Sequence, residues 1–187
     1  MIAYKFLRRG TSPFTGTPWP SPTAEGPGGW MEAEGRLGLC TNGIHACRPS
    51  QLPPWMGGEL WAVELDGEIL QTPAALIARR GRLIHRVEGW DAGVQATFAA
   101  DCARRAARVA GDDTVLCEVV SFIDRLAEAG RAGPAGYWAA VVAGQAASGD
   151  RQGETYDQAF GQERAVQARW MVDRLALEEA LPAGGLR

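Results

Sequence analysis

The hydrophobic periodicity of the chain changes once, near Trp90, and this change limits the folds that are open to it. Before Trp90, apolar residues alternate over short stretches such as 2–7 and 59–66, which is the two-residue period of a half-buried strand. After it, long segments such as 91–110 and 155–177 repeat apolar residues every three or four positions, as amphipathic helices do. We therefore predict an α+β fold, with a small, mostly antiparallel sheet in the N-terminal half and about four helices in the C-terminal half that pack on it.

The same change predicts the domain organisation. Residues 1–90 are expected to form the sheet, and residues 91–181 a helical part that makes one compact unit with it. The tail 182–187 is expected to fray. Within the first part, the stretch 10–29 is rich in Pro, Gly, Ser and Thr and predicts a long loop, whereas 74–79 predicts a short helix.

Residues 37–48 contain the closest grouping of potentially reactive side chains in the sequence, since two cysteines and a histidine lie within twelve positions. Asn42-Gly43 is the dipeptide that favours a type I′ turn, because both residues tolerate positive φ. We therefore predict a hairpin over 37–48. Alternation along its second strand puts His45 and Cys47 on one face.

Three residues are candidates for catalysis. His45 is the candidate general acid or base, because imidazole titrates near neutral pH. Cys47 could assist it as part of a thiol–imidazole pair. Glu64 lies in the middle of a strand with apolar neighbours, and it is either a catalytic acid or half of an ion pair with Lys5 or Arg48. The structural alternatives are a hydrogen-bonding histidine and a cysteine that packs as a small apolar group.

A zinc site is the other chemistry that these residue types permit. Cys40, His45, Cys47 and the more distant His85 would form a Cys2His2 set. The spacing Cys-x4-His-x-Cys is not that of a common zinc finger or ribbon, so we predict neither a metal site nor a cofactor.

Aromatic residues predict a binding cleft for a small organic molecule. We assign its apolar wall to Tyr4, Trp19, Trp30 and Trp61. Lys5 is the only lysine in the chain, so a Schiff base with a carbonyl compound could form only there.

Charge and hydropathy narrow the choice of partners. The formal net charge is −3 and no basic stripe is present, which argues against nucleic acid as a partner. No apolar run approaches the roughly 18 residues of a membrane span, and no signal peptide precedes the first predicted strand. We expect a cytoplasmic protein with reduced cysteines and no membrane partner.

Several segments resemble an uncharacterised family of bacterial proteins of actinobacterial type. The resemblance lies in Ala3-Tyr4-Lys5-Phe6, in the Leu39–Cys47 stretch with its LCxNGIHAC motif, in 59–65 and in the closing 163–170. It spans most of the chain and implies no particular activity.

A weaker likeness connects the chain to ADP-ribosyltransferase-like folds. In those folds a Gly-x-His strand precedes a strand that ends in an acidic residue, and Gly43-Ile44-His45 and Glu64 would fill these places. The likeness implies the use of NAD. The chain departs from the pattern at Pro53-Pro54, which interrupts the usual helix.

Three functional hypotheses remain open. The first is a cofactor-independent isomerase, cyclase or hydrolase of small molecules that uses His45 and requires an open polar pocket reaching it. The second is a non-catalytic module that binds a small molecule or a protein, with an apolar pocket and with His45 hydrogen-bonded away from it. The third is an NAD-using transferase. Whether the chain is an enzyme stays open at this point.

Overall fold

The computed structural model describes residues 1–149 and 155–178, and it confirms the α+β class. An antiparallel sheet occupies the N-terminal half and four helices occupy the C-terminal half. The frayed tail predicted for 182–187 lies outside the described residues.

The chain divides into two compact units. The first unit contains Met1–Trp90 and the segment that begins at Leu175, and the second contains Asp91–Arg174. The C-terminal segment joins the first unit through Tyr4, whose hydroxyl oxygen accepts a hydrogen bond from the backbone N–H of Glu178 at 3.0 Å.

Five strands form the sheet of the first unit, and each strand pairing is antiparallel. The strands are β1 (Ile2–Leu7), β2 (Met31–Glu32), β3 (Ile44–Ala46), β4 (Glu59–Gln71) and β5 (Leu76–Arg86). Strand β4 pairs with β1 on one side and with β5 on the other, whereas β2 and β3 share the free edge of β5. Two short 3₁₀ helices, Pro49–Gln51 and Pro53–Trp55, connect β3 to β4.

The residue after β3 pairs with β1, so that β1, β4, β5 and β3 form a closed ring of paired strands. Tyr4 and Cys47 exchange two backbone hydrogen bonds, of 2.8 and 2.7 Å. The interior of this ring follows the two-residue period of its strands, since Ala3 and Leu7 of β1 face the same core as Val63 of β4. Trp19 from the long loop also joins this core and is buried.

The hairpin predicted over 37–48 is wrong. No strand lies between residues 37 and 42, and the chain from Gly38 to Asn42 makes a tight turn instead. Strand β3 finds its partners at long range, with Ile44 opposite Ala78 of β5. Pairing with β5 buries Ile44 in the core, whereas a local hairpin would leave β3 without that partner.

The short helix predicted over 74–79 is also wrong, because β5 begins at Leu76. Leu76 and Ala78 point into the core of the ring, and pairing on both edges of the strand outweighs the local helix preference. Strand β4 continues through Asp66-Gly67 without a turn, because a bulge with Gly67 at φ +76° accommodates one extra residue of β4 relative to β5.

The second unit is helical. Its helices are α1 (Ala92–Ala110), α2 (Thr114–Glu128), α3 (Ala132–Gly149) and α4 (Tyr156–Leu175). Asp91 and Asp113 each accept a hydrogen bond from the backbone N–H three residues later, so both act as N-caps and fix where α1 and α2 begin.

Within the described residues, no helix combines the length and the apolar character that a membrane crossing requires.

Candidate functional site

A pocket of about 650 Å³ opens in the first unit. One wall comes from the long loop, and the opposite wall comes from β3 and the turn before it. The largest apolar side chains that line it are Phe6, Phe14, Trp19, Met31, Ile44 and Trp55.

Two aromatic rings stand at the mouth of this pocket. Phe14 is 86% exposed and meets the edge of Trp55 with ring centroids 6.1 Å apart. The indole N–H of Trp55 donates to the carbonyl of Ala74, so this ring has a fixed orientation. Trp19 lies deeper, and its indole N–H donates to the hydroxyl of Ser12 at 2.8 Å.

Lys5 lines the same pocket from β1. Its ammonium donates to the backbone carbonyl of His45 at 2.8 Å and lies 5.2 Å from the centroid of the Trp19 ring. Burial lowers the pKa of Lys5 to about 8, and the nearby Cys47 thiol only partly opposes that effect.

The imidazole of His45 holds the turn that precedes it. Its Nε2 accepts a hydrogen bond from the backbone N–H of Cys40 at 3.0 Å, and its Nδ1 lies 3.0 Å from the carbonyl oxygen of Gly43. Because Nε2 accepts, the proton is on Nδ1, which donates to Gly43. Both ring nitrogens are therefore occupied by the backbone.

The ring is held in its neutral form. Burial is the largest cause that lowers the pKa of His45, and the Lys5 ammonium acts in the same direction against the backbone hydrogen bonds. Protonation of Nε2 would also break its bond to Cys40. These contacts are those of a histidine that stabilises a turn.

Removal of this imidazole is expected to lower the free energy of unfolding in a way that depends on pH. In His45→Phe the ring stays but the N–H of Cys40 and the carbonyl of Gly43 lose their partner, which costs about 2 kcal/mol at pH 7.5. The folded pKa of His45 lies below its unfolded value, so its contribution is complete above the unfolded pKa and declines as pH falls through that value. Urea unfolding from pH 8 to pH 5 measures this difference, which should shrink at acid pH.

His85 provides the matched control because it is an exposed histidine on β5. His85→Phe is expected to change the free energy of unfolding by less than about 0.5 kcal/mol. A difference between wild type and His45→Phe that stays constant from pH 8 to pH 5 would contradict the proposed role of the imidazole.

Cys47 is buried beside this site and lines the pocket. Burial raises the pKa of its thiol to about 12, although the Lys5 ammonium acts in the opposite direction. The thiol is therefore protonated at neutral pH and does not form a thiolate–imidazolium pair with His45. Catalysis by these two residues stays a prediction that their contacts do not favour.

Glu64 does not line the pocket. Its carboxylate pairs with the guanidinium of Arg82 at 2.7 Å, directly across the β4–β5 pairing. The predicted partners Lys5 and Arg48 are wrong, because the strand register places Glu64 opposite Arg82. The structure thus does not bring Glu64 together with His45 in one pocket, as an ADP-ribosyltransferase-like site would require.

Only one of the four aromatic residues assigned to the cleft, Trp19, lines it. Trp30 packs under two guanidiniums, those of Arg80 and Arg82, at 4.6 and 4.5 Å from its ring centroid. The indole N–H of Trp61 donates to Glu59 of its own strand. Tyr4 is buried, and its hydroxyl bonds to the backbone of the C-terminal segment.

The four residues considered for zinc do not converge. Cys40 and His45 are joined through the backbone N–H of the cysteine, whereas His85 is an exposed residue opposite Ala62. In the part of the chain that the structure describes, no three His, Cys, Asp or Glu side chains are placed to hold a metal ion together.

Most residues that line the pocket were not predicted as site residues, and Lys5, Phe14 and Trp55 are the most important of them. A signal existed for Lys5, because it is the only lysine in the sequence. It also shares one face of β1 with Ala3 and Leu7, which point into the core. No comparable signal marks Phe14 and Trp55, which come together across forty residues of loop and strand.

Comparison of the chain with protein-family models, with curated proteins and with solved structures found no match.

Proposed function

We propose that the first unit binds a small, uncharged organic molecule with a largely apolar body in the pocket between the long loop and β3. The observation that carries this proposal is a pocket of about 650 Å³ with aromatic walls, beside a histidine whose two ring nitrogens are both bonded to the backbone. The size falls within the range of pockets that hold metabolite-sized ligands.

The walls favour an apolar ligand. Phe6, Phe14 and Trp55 present ring surface to the pocket, and the indole nitrogens of Trp19 and Trp55 already have acceptors. Burial of a ligand against these rings would gain about 25 cal/mol for each Å² of apolar surface removed from water. Phe14 is 86% exposed, so most of its ring surface is available to a ligand.

The charge at the rim favours a neutral ligand. Glu32 and Glu34 line the pocket and are exposed, and Glu32 lies 3.6 Å from the guanidinium of Arg80. These carboxylates oppose an anionic ligand. Hydroxyl groups from Ser12, Thr15 and Thr17 line the loop side and offer hydrogen bonds that orient a polar substituent.

Binding is expected to weaken when the mouth loses its exposed ring. Phe14→Ser removes the edge contact with Trp55 at little cost to folding, because Phe14 is already in water. We expect the Kd of the neutral probe N-phenyl-1-naphthylamine to rise about fivefold, which corresponds to about 1 kcal/mol of lost aromatic contact. Fluorescence titration of the probe measures this change.

Val115→Ser is the matched control, since Val115 is a 70% exposed apolar residue on α2 in the second unit. Its Kd should equal that of wild type. An equal loss of affinity in both variants, or no probe fluorescence with wild type, would contradict binding in this pocket.

A further inference from the structure

We propose that Lys5 captures an aldehyde or ketone group of the bound molecule as an imine. This inference rests on the proposed function and names the chemical class of the ligand: a carbonyl compound with an apolar, preferably aromatic, body.

The placement of the amine carries the inference. Lys5 lines the pocket, and its Nζ lies 5.2 Å from the centroid of the Trp19 ring. The hydrogen bond from Nζ to the carbonyl of His45 uses one of the three N–H groups of an ammonium. Within residues 1–149 and 155–178, no carboxylate lies within ion-pair distance of this nitrogen. A lysine that served only as a structural cation would be expected to have such a partner.

The surroundings of the amine also supply its reactivity. Burial lowers the pKa of Lys5 to about 8, so at pH 7 about one amine in ten is neutral, against fewer than about one in a thousand for an ordinary lysine. Only the neutral amine has the lone pair that attacks a carbonyl carbon. Desolvation beside an apolar wall is a recognised way in which proteins prepare lysine for this reaction.

The reaction balances without an oxidant or a reductant. The lone pair of the neutral Nζ forms a C–N bond to the carbonyl carbon, and one of the two amine protons passes to the carbonyl oxygen to give a carbinolamine. A proton from solvent lets the hydroxyl group leave as water, and the second amine proton then returns to solvent to leave the C=N bond of the imine. One water leaves for each imine formed, so the ligand is released again by hydrolysis.

The other nucleophiles in the pocket are less suited to this step. The thiol of Cys47 is protonated because burial raises its pKa to about 12. The imidazole of His45 has both nitrogens bonded to the backbone. The exposed thiol of Cys40 also lines the pocket, but a sulfur atom cannot form an imine. Lys5 is therefore the side chain on which the pocket would hold a carbonyl compound as an imine.

Reductive trapping on the full chain tests the inference. The protein is incubated at pH 7 with benzaldehyde and sodium cyanoborohydride, together with Nα-acetyl-lysine amide as an internal reference amine. Lys5 and the α-amine of Met1 are the only primary amines in the chain, so fragmentation of one N-terminal peptide separates the two products by mass. We expect Lys5 to be benzylated at least about tenfold faster than the reference, with a rate that saturates with benzaldehyde.

A polar aldehyde and a pair of variants then test the role of the pocket. Glyceraldehyde should show less than half of the enhancement that benzaldehyde shows, because it lacks the apolar body. Thr41→Trp places an indole on an exposed residue that lines the pocket and should slow the benzylation of Lys5 at least fivefold. Val115→Trp adds the same indole to an exposed site on α2 and should leave the rate unchanged.

Benzylation of Lys5 at or below the rate of the reference amine would overturn the inference, as would an unchanged rate in Thr41→Trp. Failure of the imine is distinguishable from failure of the pocket. If N-phenyl-1-naphthylamine binds wild type while Lys5 is trapped no faster than the reference, ligand binding stands and capture by Lys5 is wrong. If the probe does not bind, the proposed function itself is wrong.

Discussion

Replacement of Gly43 by alanine is expected to lower the free energy of unfolding by about 4 kcal/mol. Gly43 has φ +122°, and a Cβ atom there would lie 2.2 Å from Cγ2 of Ile77 and 3.2 Å from Cδ2 of Leu37. The left-handed backbone costs a non-glycine residue about 1–3 kcal/mol, and overpacking against a buried side chain costs a similar amount. Urea unfolding followed by tryptophan fluorescence measures the loss.

The position of Gly43 explains why so small a change matters. Its carbonyl oxygen accepts a hydrogen bond from Nδ1–H of His45, and Gly43 joins the tight turn to β3. Gly58→Ala is the matched control, because Gly58 has no positive φ and a Cβ atom there meets nothing within 4 Å. We expect it to change the free energy of unfolding by less than about 0.5 kcal/mol. Equal stability of Gly43→Ala and Gly58→Ala would show that the turn does not have the conformation described.

Loss of the Glu163 carboxylate from the second unit is expected to cost about 3 kcal/mol in Glu163→Ala. The carboxylate of Glu163 on α4 pairs with the guanidinium of Arg105 on α1 at 2.8 Å, and its side chain is only 10% exposed. It also accepts from the amide of Gln167, which is fully buried and donates to the carbonyl of Gly136 at 2.8 Å. Alanine would leave Arg105 partly buried without this partner.

Asp173→Ala offers a control on the same helix, since Asp173 is an exposed acidic residue of α4. Its free energy of unfolding should stay within about 0.5 kcal/mol of wild type. Glu163→Gln keeps the size and one acceptor oxygen while removing the charge, so its loss should lie between the two alanine variants. Urea unfolding of the three variants tests this order, and a loss in Glu163→Ala no greater than that in Asp173→Ala would contradict it.

The spacing of apolar residues predicted the helices and strands whose conformation depends mainly on their own sequence. The apolar period in 91–110 and 155–177 indicated α1 and α4, and the alternation in 2–7 and 59–66 indicated β1 and the first half of β4. In these elements the preference of a segment and its place in the fold agree, so short-range reasoning was sufficient.

The candidate site depended on pairing between distant residues, and local patterns do not contain that information. Asn42-Gly43 is a strong turn signal, but β3 pairs with a strand more than thirty residues later, and the turn moved to Gly38–Asn42. The partner of Glu64 was wrong for the same reason, since Arg82 becomes its neighbour only through the register of β4 and β5. His45 was identified as a special residue, but its hydrogen bonds to the turn decide its role.

The most direct test of ligand binding in the first unit is a ¹H–¹⁵N correlation spectrum of the full chain titrated with benzyl alcohol and with indole. Both probes are neutral and have an apolar body. The indole N–H groups of Trp19 and Trp55 report on the pocket, and those of Trp138 and Trp170 report on the second unit. Binding in the pocket predicts saturable shifts at Trp19, Trp55 and the amide of Cys40, with Trp138 and Trp170 unchanged. Shifts confined to Trp138 and Trp170, or no saturable shift at Trp19 and Trp55, would contradict it.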